Sequence, residues 1–254
     1  MSTHELSHAD ICVVACAEAF RGDGEIMVSP MGLVPSIGAR LARATFEPDL
    51  LLTDGVATIQ AGNNPVGGSD TAAVTEGYMP FRRVFDTLWW GKRHVMMGAS
   101  QIDRYGNQNI ACIGEWEKPK AQLLGVRGAP GNTINHPTSY WVAKHSKRVF
   151  VETVDMVSGV GYDRAKELGA AGRFHEIRRV VTNLGVFDFE TDDNRMRIRS
   201  IHPGVTVDEI VENTGFELVI PEKLDETRAP TADELQLISE VIDPKGLRQR
   251  EVPG

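Results

Sequence analysis

The chain has 254 residues, 41% of them hydrophobic, with 25 Gly and 13 Pro, a length that buries a sizeable apolar core without disulfides or metals as staples. Its 35 acidic residues outnumber 27 basic ones for a formal net charge of -8. With Lys and Arg scattered along the chain, that balance excludes a surface built to neutralise nucleic-acid phosphates.

The start, MSTHELSHADICVVACAEAF, carries acidic residues where a signal peptide needs a basic flank. No stretch of about 18 uncharged apolar residues follows anywhere, so a cytoplasmic protein without membrane association is expected. Within residues 6–20, Ile11, Val14, Ala15, Ala19 and Phe20 recur at helical spacing and predict an amphipathic helix capped by Ser7 or Asp10. Cys12 and Cys16 lie in that run and Cys112 stands alone; an odd number in apolar surroundings marks small core residues.

EIMVS and DLLLT are strand-length, with a helical stretch from Leu33 to Thr45 between them. The polar, glycine-rich Gly62 to Ser69 is a loop. A helix from Phe81 to Trp90 leads to the strand-length runs RHVMMGAS, QLLGV, KRVFVET and RRVVTNLGVFDF, and Asp208 to Thr214 is helical again. Near-continuous apolar strands need cover on both faces, and their alternation with helices predicts an open, mostly parallel α/β sheet with helices on both faces. Residues 1–220 form that domain. From 221 to 254 the chain turns polar and reads as a tail with one short helix, Thr231 to Ile242.

Chemistry is sought where strands end. Gly125-Val126-Arg127-Gly128-Ala129-Pro130-Gly131-Asn132 is a glycine-rich turn after QLLGV, and glycines let a backbone approach a ligand closely. Amides of Gly128 and Ala129 are suited to an oxygen gaining negative charge; Arg127 adds a guanidinium suited to a carboxylate or an enolate. Asp54 ends the strand DLLLT, in the place where open α/β sheets hold ligands. Ser29, Thr53, Gly55, Gly131 and Asn132 are candidate contacts for a bound substrate. Of the seven histidines only His4 and His8 stand four apart, at the start of the chain with no further ligand at metal spacing, so no metal site is expected, and no Gly-x-Ser-x-Gly elbow exists.

In order, PMGLVPSIGARL, DLLLTDGVA, GKRHVMMGASQIDRYGNQN, GVRGAPGN, VVTNLGVFDF and HPGVTVDEIVENTGFE resemble successive landmarks of class I CoA-transferase beta subunits, over about residues 25 to 217. The resemblance implies the family's NagB/RpiA-like fold, an alpha-type partner subunit in an α2β2 heterotetramer, and no cofactor, coenzyme A being part of the substrate. Asp54 stands where family transferases carry a nucleophilic glutamate, and Arg127 where they carry the first glycine of a Gly-Gly-Ala oxyanion turn. These departures are similar to the steroid ring-cleaving branch of the family, which acts in actinobacterial cholesterol breakdown. That branch adds water across a C–C bond of a cyclic keto acyl-CoA, with the general base expected from the partner. A dicarboxyl-CoA transferase using Asp54 as nucleophile and a catalytically silent pairing subunit are the alternatives.

Overall fold

The computed structural model describes residues 6–54, 57–62, 64–68 and 74–253. The chain divides into two compact units, Met1–Met96 with Arg228–Gly254, and Met97–Thr227.

In the first unit, helix α1 (His8–Glu18) opens on a capping box in which Ser7 Oγ accepts from Asp10 N and Asp10 Oδ2 accepts from Ser7 N, satisfying two amides that the first turn leaves open. Every residue from Ala9 to Ala17 is buried. The helix is therefore enclosed on all sides, a correction to the expected amphipathic one, and its small residues are the reason. Helix α2 (Leu33–Thr45) crosses it at Gly38, where an added Cβ would stand 2.8 Å from Cys16 Cβ. Cys12 and Cys16 are core residues as expected; burial pushes the Cys12 thiol up to about 12, far from a reactive thiolate.

Five strands follow: β1 (Met27–Pro30), β2 (Leu51–Thr53), β3 (Thr58–Ala61), β4 (Val74–Tyr78) and, after helix α3 (Phe81–Trp90), β5 (Arg93–Gly98). Their order is β5-β1-β2-β3-β4, with β1 parallel to both neighbours and β3 and β4 antiparallel. Because β1 and β2 run the same way, Ser29 and Thr53 emerge at one edge, with Asp54 just beyond. Strands β3 and β4 escape the sequence reading because VTEGY is mostly exposed and polar.

The second unit starts with two small hairpins, β6 (Gln101–Ile102) with β7 (Gln108–Asn109) and β8 (Cys112–Ile113) with β9 (Ala121–Gln122). Helix α4 (Ala129–Asn135), β10 (Pro137–Val142), α5 (Tyr162–Glu167), β11 (Glu176–Thr182), β12 (Gly185–Asp188), β13 (Arg197–Ile201), α6 (Val207–Glu212) and β14 (Asp225–Glu226) complete it. The order is β10-β11-β12-β13-β14, parallel at β10–β11 and β13–β14 and antiparallel between. The architecture is the expected open α/β one, with parallel and antiparallel pairs in the sheet of each unit.

Three strand expectations change. QLLGV keeps only the end of β9, with Leu124 70% exposed; an exposed apolar side chain gives a strand no face to bury. KRVFVET contributes a single bridge, Phe150 to Ile102. RRVVTNLGVFDF is a hairpin of β11 and β12, turned where Thr182 Oγ1 accepts from the amides of Leu184 and Gly185.

The polar tail expected from 221 is also corrected. Arg228–Gly254 belongs to the first unit, where Ala232–Gln236 and Leu237–Ile242 form one helical stretch. Buried Arg248 donates from Nε to Asp10 Oδ1 at 2.6 Å and from Nη1 to Asp243 Oδ2 at 3.0 Å. Of the charges that suggested solvent, Glu234, Asp243 and Arg248 are buried and paired. No helix among the described residues is long and apolar enough to cross a membrane.

Candidate functional site

In the second unit the glycine-rich turn is built from two left-handed residues, Gly125 at φ 84° and Arg127 at φ 47°. Gly125 adopts this freely. For arginine the same backbone costs about 1 kcal/mol, because Cβ crowds the following carbonyl. Among described non-glycine residues only Asn194 shares it, and Asn tolerates it through local hydrogen bonding.

Gly128 then caps α4 with Pro130 in the first turn. Pro130 has no N–H to lose there. Ala129 N–H donates to Val126 O at 3.0 Å, so Ala129 closes the turn and does not offer its amide to a ligand, which corrects its expected donor role. Arg127 is exposed and, among the described residues, forms no ion pair.

Gly131 and Asn132 lie inside α4, not in a loop. Asn132 is 1% exposed, its Nδ2 is 3.6 Å from Met97 Sδ, and its Oδ1 has no partner. Asn132 thus turns into the core of its unit, away from any surface ligand, because helical periodicity carries it to the inner face.

In the first unit, Asp54 Oδ1 accepts from Ala57 N and Thr58 N, both at 2.9 Å. The carboxylate thereby fixes the turn between β2 and β3, as short acidic side chains do. Gly55, the next expected contact, lies outside the described residues. Ser29, Thr53 and Asp54 are brought together on the wall of one cavity of ≈ 300 Å³, which Met31, Arg40, Phe81 and Arg93 also line. A neighbouring cavity of ≈ 270 Å³ shares Ser36, Arg40 and Asp54 and is bounded by the loop residues Asn64 and Gly67. Of that loop, Asn63 and Ser69 lie outside the described residues.

Arg93 is the residue that sequence reasoning missed. It is 4% exposed, its Nε donates to Ser29 Oγ at 3.0 Å, and burial pushes the guanidinium down to about 10. The one available signal was a charged residue opening a largely apolar strand, RHVMMG.

The family model for coenzyme A transferase matches residues 84–213. A subunit of Rhodococcus jostii named as the cholesterol ring-cleaving hydrolase IpdB subunit is 57% identical over 98% of this chain and 97% of its own. The IpdB subunit of Mycobacterium tuberculosis is 56% identical, covering 97% and 98%. A crystal structure of Rhodococcus jostii IpdAB matches with a TM-score of 0.94 at 56% identity, over 99% of this chain and 100% of that one.

Proposed function

The chain belongs to the coenzyme A transferase family, and from that premise we propose that it is the beta-type subunit of a cytoplasmic, two-chain CoA-thioester hydrolase that opens the last steroid ring of cholesterol. The observation that carries this reading is the 57% identity to a ring-cleaving hydrolase subunit along nearly the whole of both chains. Its partner is an alpha-type subunit in an α2β2 heterotetramer.

The reaction is a hydrolytic, reverse-Claisen cleavage of a cyclic keto acyl-CoA. Water adds to the ring ketone, and the C–C bond to the carbon next to the thioester breaks. Its electron pair moves into the thioester as an enolate, which a proton then quenches on carbon. The single ring-opened product contains one added water and keeps the CoA, so no oxidant, reductant or further cofactor is needed.

Arg127 answers the charge that grows on the thioester oxygen, aided by the Gly128 amide. A cation placed where negative charge develops lowers the barrier more than one placed on the ground state. The general base is a carboxylate of the partner subunit. Asp54 keeps its turn and shapes the substrate cavity. Transferase chemistry needs its carboxylate as a nucleophile, yet Oδ1 already accepts two amides, and aspartate is one methylene shorter than the glutamate it stands for.

The test is mass spectrometry of products after the co-expressed pair meets a cyclic keto acyl-CoA in oxygen-18 water with an added free acid. Ring-opened acyl-CoA carrying one heavy oxygen is the expected product. CoA moved onto the added acid would establish a transferase instead, a reading that the 32% identity to a 3-oxoadipate CoA-transferase chain of Pseudomonas knackmussii keeps in view.

A further inference from the structure

Arg127 is exposed and forms no ion pair among the described residues, so the direction of its guanidinium is set by its backbone. The local sequence holds that backbone weakly. Gly125, Gly128 and Gly131 surround it, and glycines leave a chain free to sample many conformations. A left-handed arginine, φ 47°, persists only where the structure around it over-determines the conformation.

Thr133 supplies the constraint. It lies one turn further into α4 and is wholly buried. Its Oγ1 donates to Ala129 O at 2.9 Å and accepts from Val160 N at 3.0 Å, so the hydroxyl uses its proton and a lone pair at once. A bond back to the carbonyl four residues earlier is common for threonine in a helix; the second bond ties the helix to a different segment. On another side, His175 Nδ1 donates to Thr133 O at 2.6 Å, which holds the threonine backbone in place.

Val160 is fixed in turn. Ser158 N and Gly159 N donate to Gln108 O, Gln108 N donates to Gly159 O at 2.9 Å, and Gly161 N donates to Asn107 Oδ1 at 2.7 Å. A bonded path therefore runs from β7 through Val160 and Thr133 to Ala129, two residues beyond Arg127, and all of it lies in the second unit. We infer that Thr133 is a positioning residue for the reaction, its hydroxyl fixing the Ala129 peptide and thereby the direction in which Arg127 points. This rests on the reading that Arg127 answers the charge on the thioester oxygen, and it adds the group that aims Arg127.

The test compares Thr133→Ser with Thr133→Ala in the co-expressed pair, two variants that differ by the hydroxyl alone. Thr133→Ala should lower kcat roughly 10–100-fold, as a displacement of about 1 Å at a reacting centre does, while KM stays within about twofold of wild type. Thr133→Ser should keep wild-type kinetics. Because the hydroxyl acts through Arg127, adding Thr133→Ala to Arg127→Gly should lower kcat by no more than about twofold further, groups that act as a unit being non-additive. Should the alanine variant not assemble, Thr133→Val removes the hydroxyl at nearly constant size. Wild-type kcat in the variant without a hydroxyl, an equal loss in Thr133→Ser, or a loss that persists in full beside Arg127→Gly overturns the inference.

Hydrogen–deuterium exchange of the same proteins separates this from failure of the ring-opening reading. If wild type opens no ring, or Arg127→Gly turns over as wild type does, the reading falls. The amides of Ala129 and Asn132, which donate to Val126 O and Gly128 O, then decide whether the hydroxyl tethers the turn. Exchange there that is roughly 2–10-fold faster in Thr133→Ala, the range for one lost hydrogen bond, and unchanged in Thr133→Ser supports the tether. Exchange that Thr133→Ala leaves as in wild type overturns it.

Discussion

Arg127 adopts a backbone, φ 47°, that glycine would take without strain. Strained residues persist where the side chain earns its place by function. Arg127→Gly should therefore leave thermal stability unchanged or slightly raised, the relief of about 1 kcal/mol being offset by glycine's freedom in the unfolded chain. Turnover should fall on the order of 10²–10³-fold, as when an oxyanion donor is removed. Parallel melting curves and kinetics of the co-expressed pair decide it; unchanged turnover would make the subunit a silent partner. Asp54→Asn makes the complementary point. The amide oxygen keeps both turn bonds from Ala57 and Thr58, so ring opening should stay within about tenfold of wild type, whereas a covalent nucleophile would lose on the order of 10⁴-fold or more. Arg127 and Asp54 were visible in sequence as departures from a familiar pattern. Arg93 was not, because what marks it is its burial against Ser29, and that is known only once the strands are placed.

One of the family signatures, GASQIDRYGNQN, is legible because it is a folding device of one small hairpin. Asp103 Oδ1 accepts from Tyr105 N and Asn107 N, and Asn107 Oδ1 accepts from Gly161 N. Gly106, at φ 82°, leaves no room for a Cβ, which would meet Ile177 Cδ1 at 2.6 Å. By contrast, β10 was missed because PTSYWV mixes polar and apolar residues although five of its six residues are buried; its burial comes from the elements around it and not from its composition. Close to β10, the same enclosure acts on His145, which stacks on Phe150 with ring centroids 3.7 Å apart. Thr214 gives its proton to Ile210 O and so accepts from His145 Nε2, at 2.9 Å. The ring is held neutral, and burial pushes it down to about 3. A base lowered in the folded state leaves stability intact above the unfolded value near 6.5 and loses it as pH falls from there toward 3, by up to about 1.4 kcal/mol per pH unit. Urea midpoints of wild type and His145→Gln at pH 7.5, 6 and 5 should converge as the pH drops. A constant gap between them would show that His145 is not a source of acid sensitivity.

At the scale of the whole chain, the least legible feature was the C-terminal segment. Its charged residues read locally as solvated, but the contact that reverses this joins Arg248 to Asp10 across 238 positions, and no pattern within a window reports such a pair. Asp243 Oδ1 and Oδ2 also accept from the amides of Leu247 and Arg248, and Glu251 Oε2 accepts from Val34 N at 2.7 Å at the start of α2. The last turn of the chain is thus tied to both of the first two helices. Arg248→Met should destabilise the protein by about 3–5 kcal/mol, since it strands Asp10 and Asp243 as buried charges without their partner. Adding Asp10→Asn and Asp243→Asn to that variant should recover part of the loss, because the cost lies in the uncompensated carboxylates more than in the missing packing. Denaturant unfolding of the three proteins measures both steps. If Arg248→Met unfolds with wild-type energetics, the segment is held by Ile238, Ile242 and Val252, which are all buried, and the ion network only orients it.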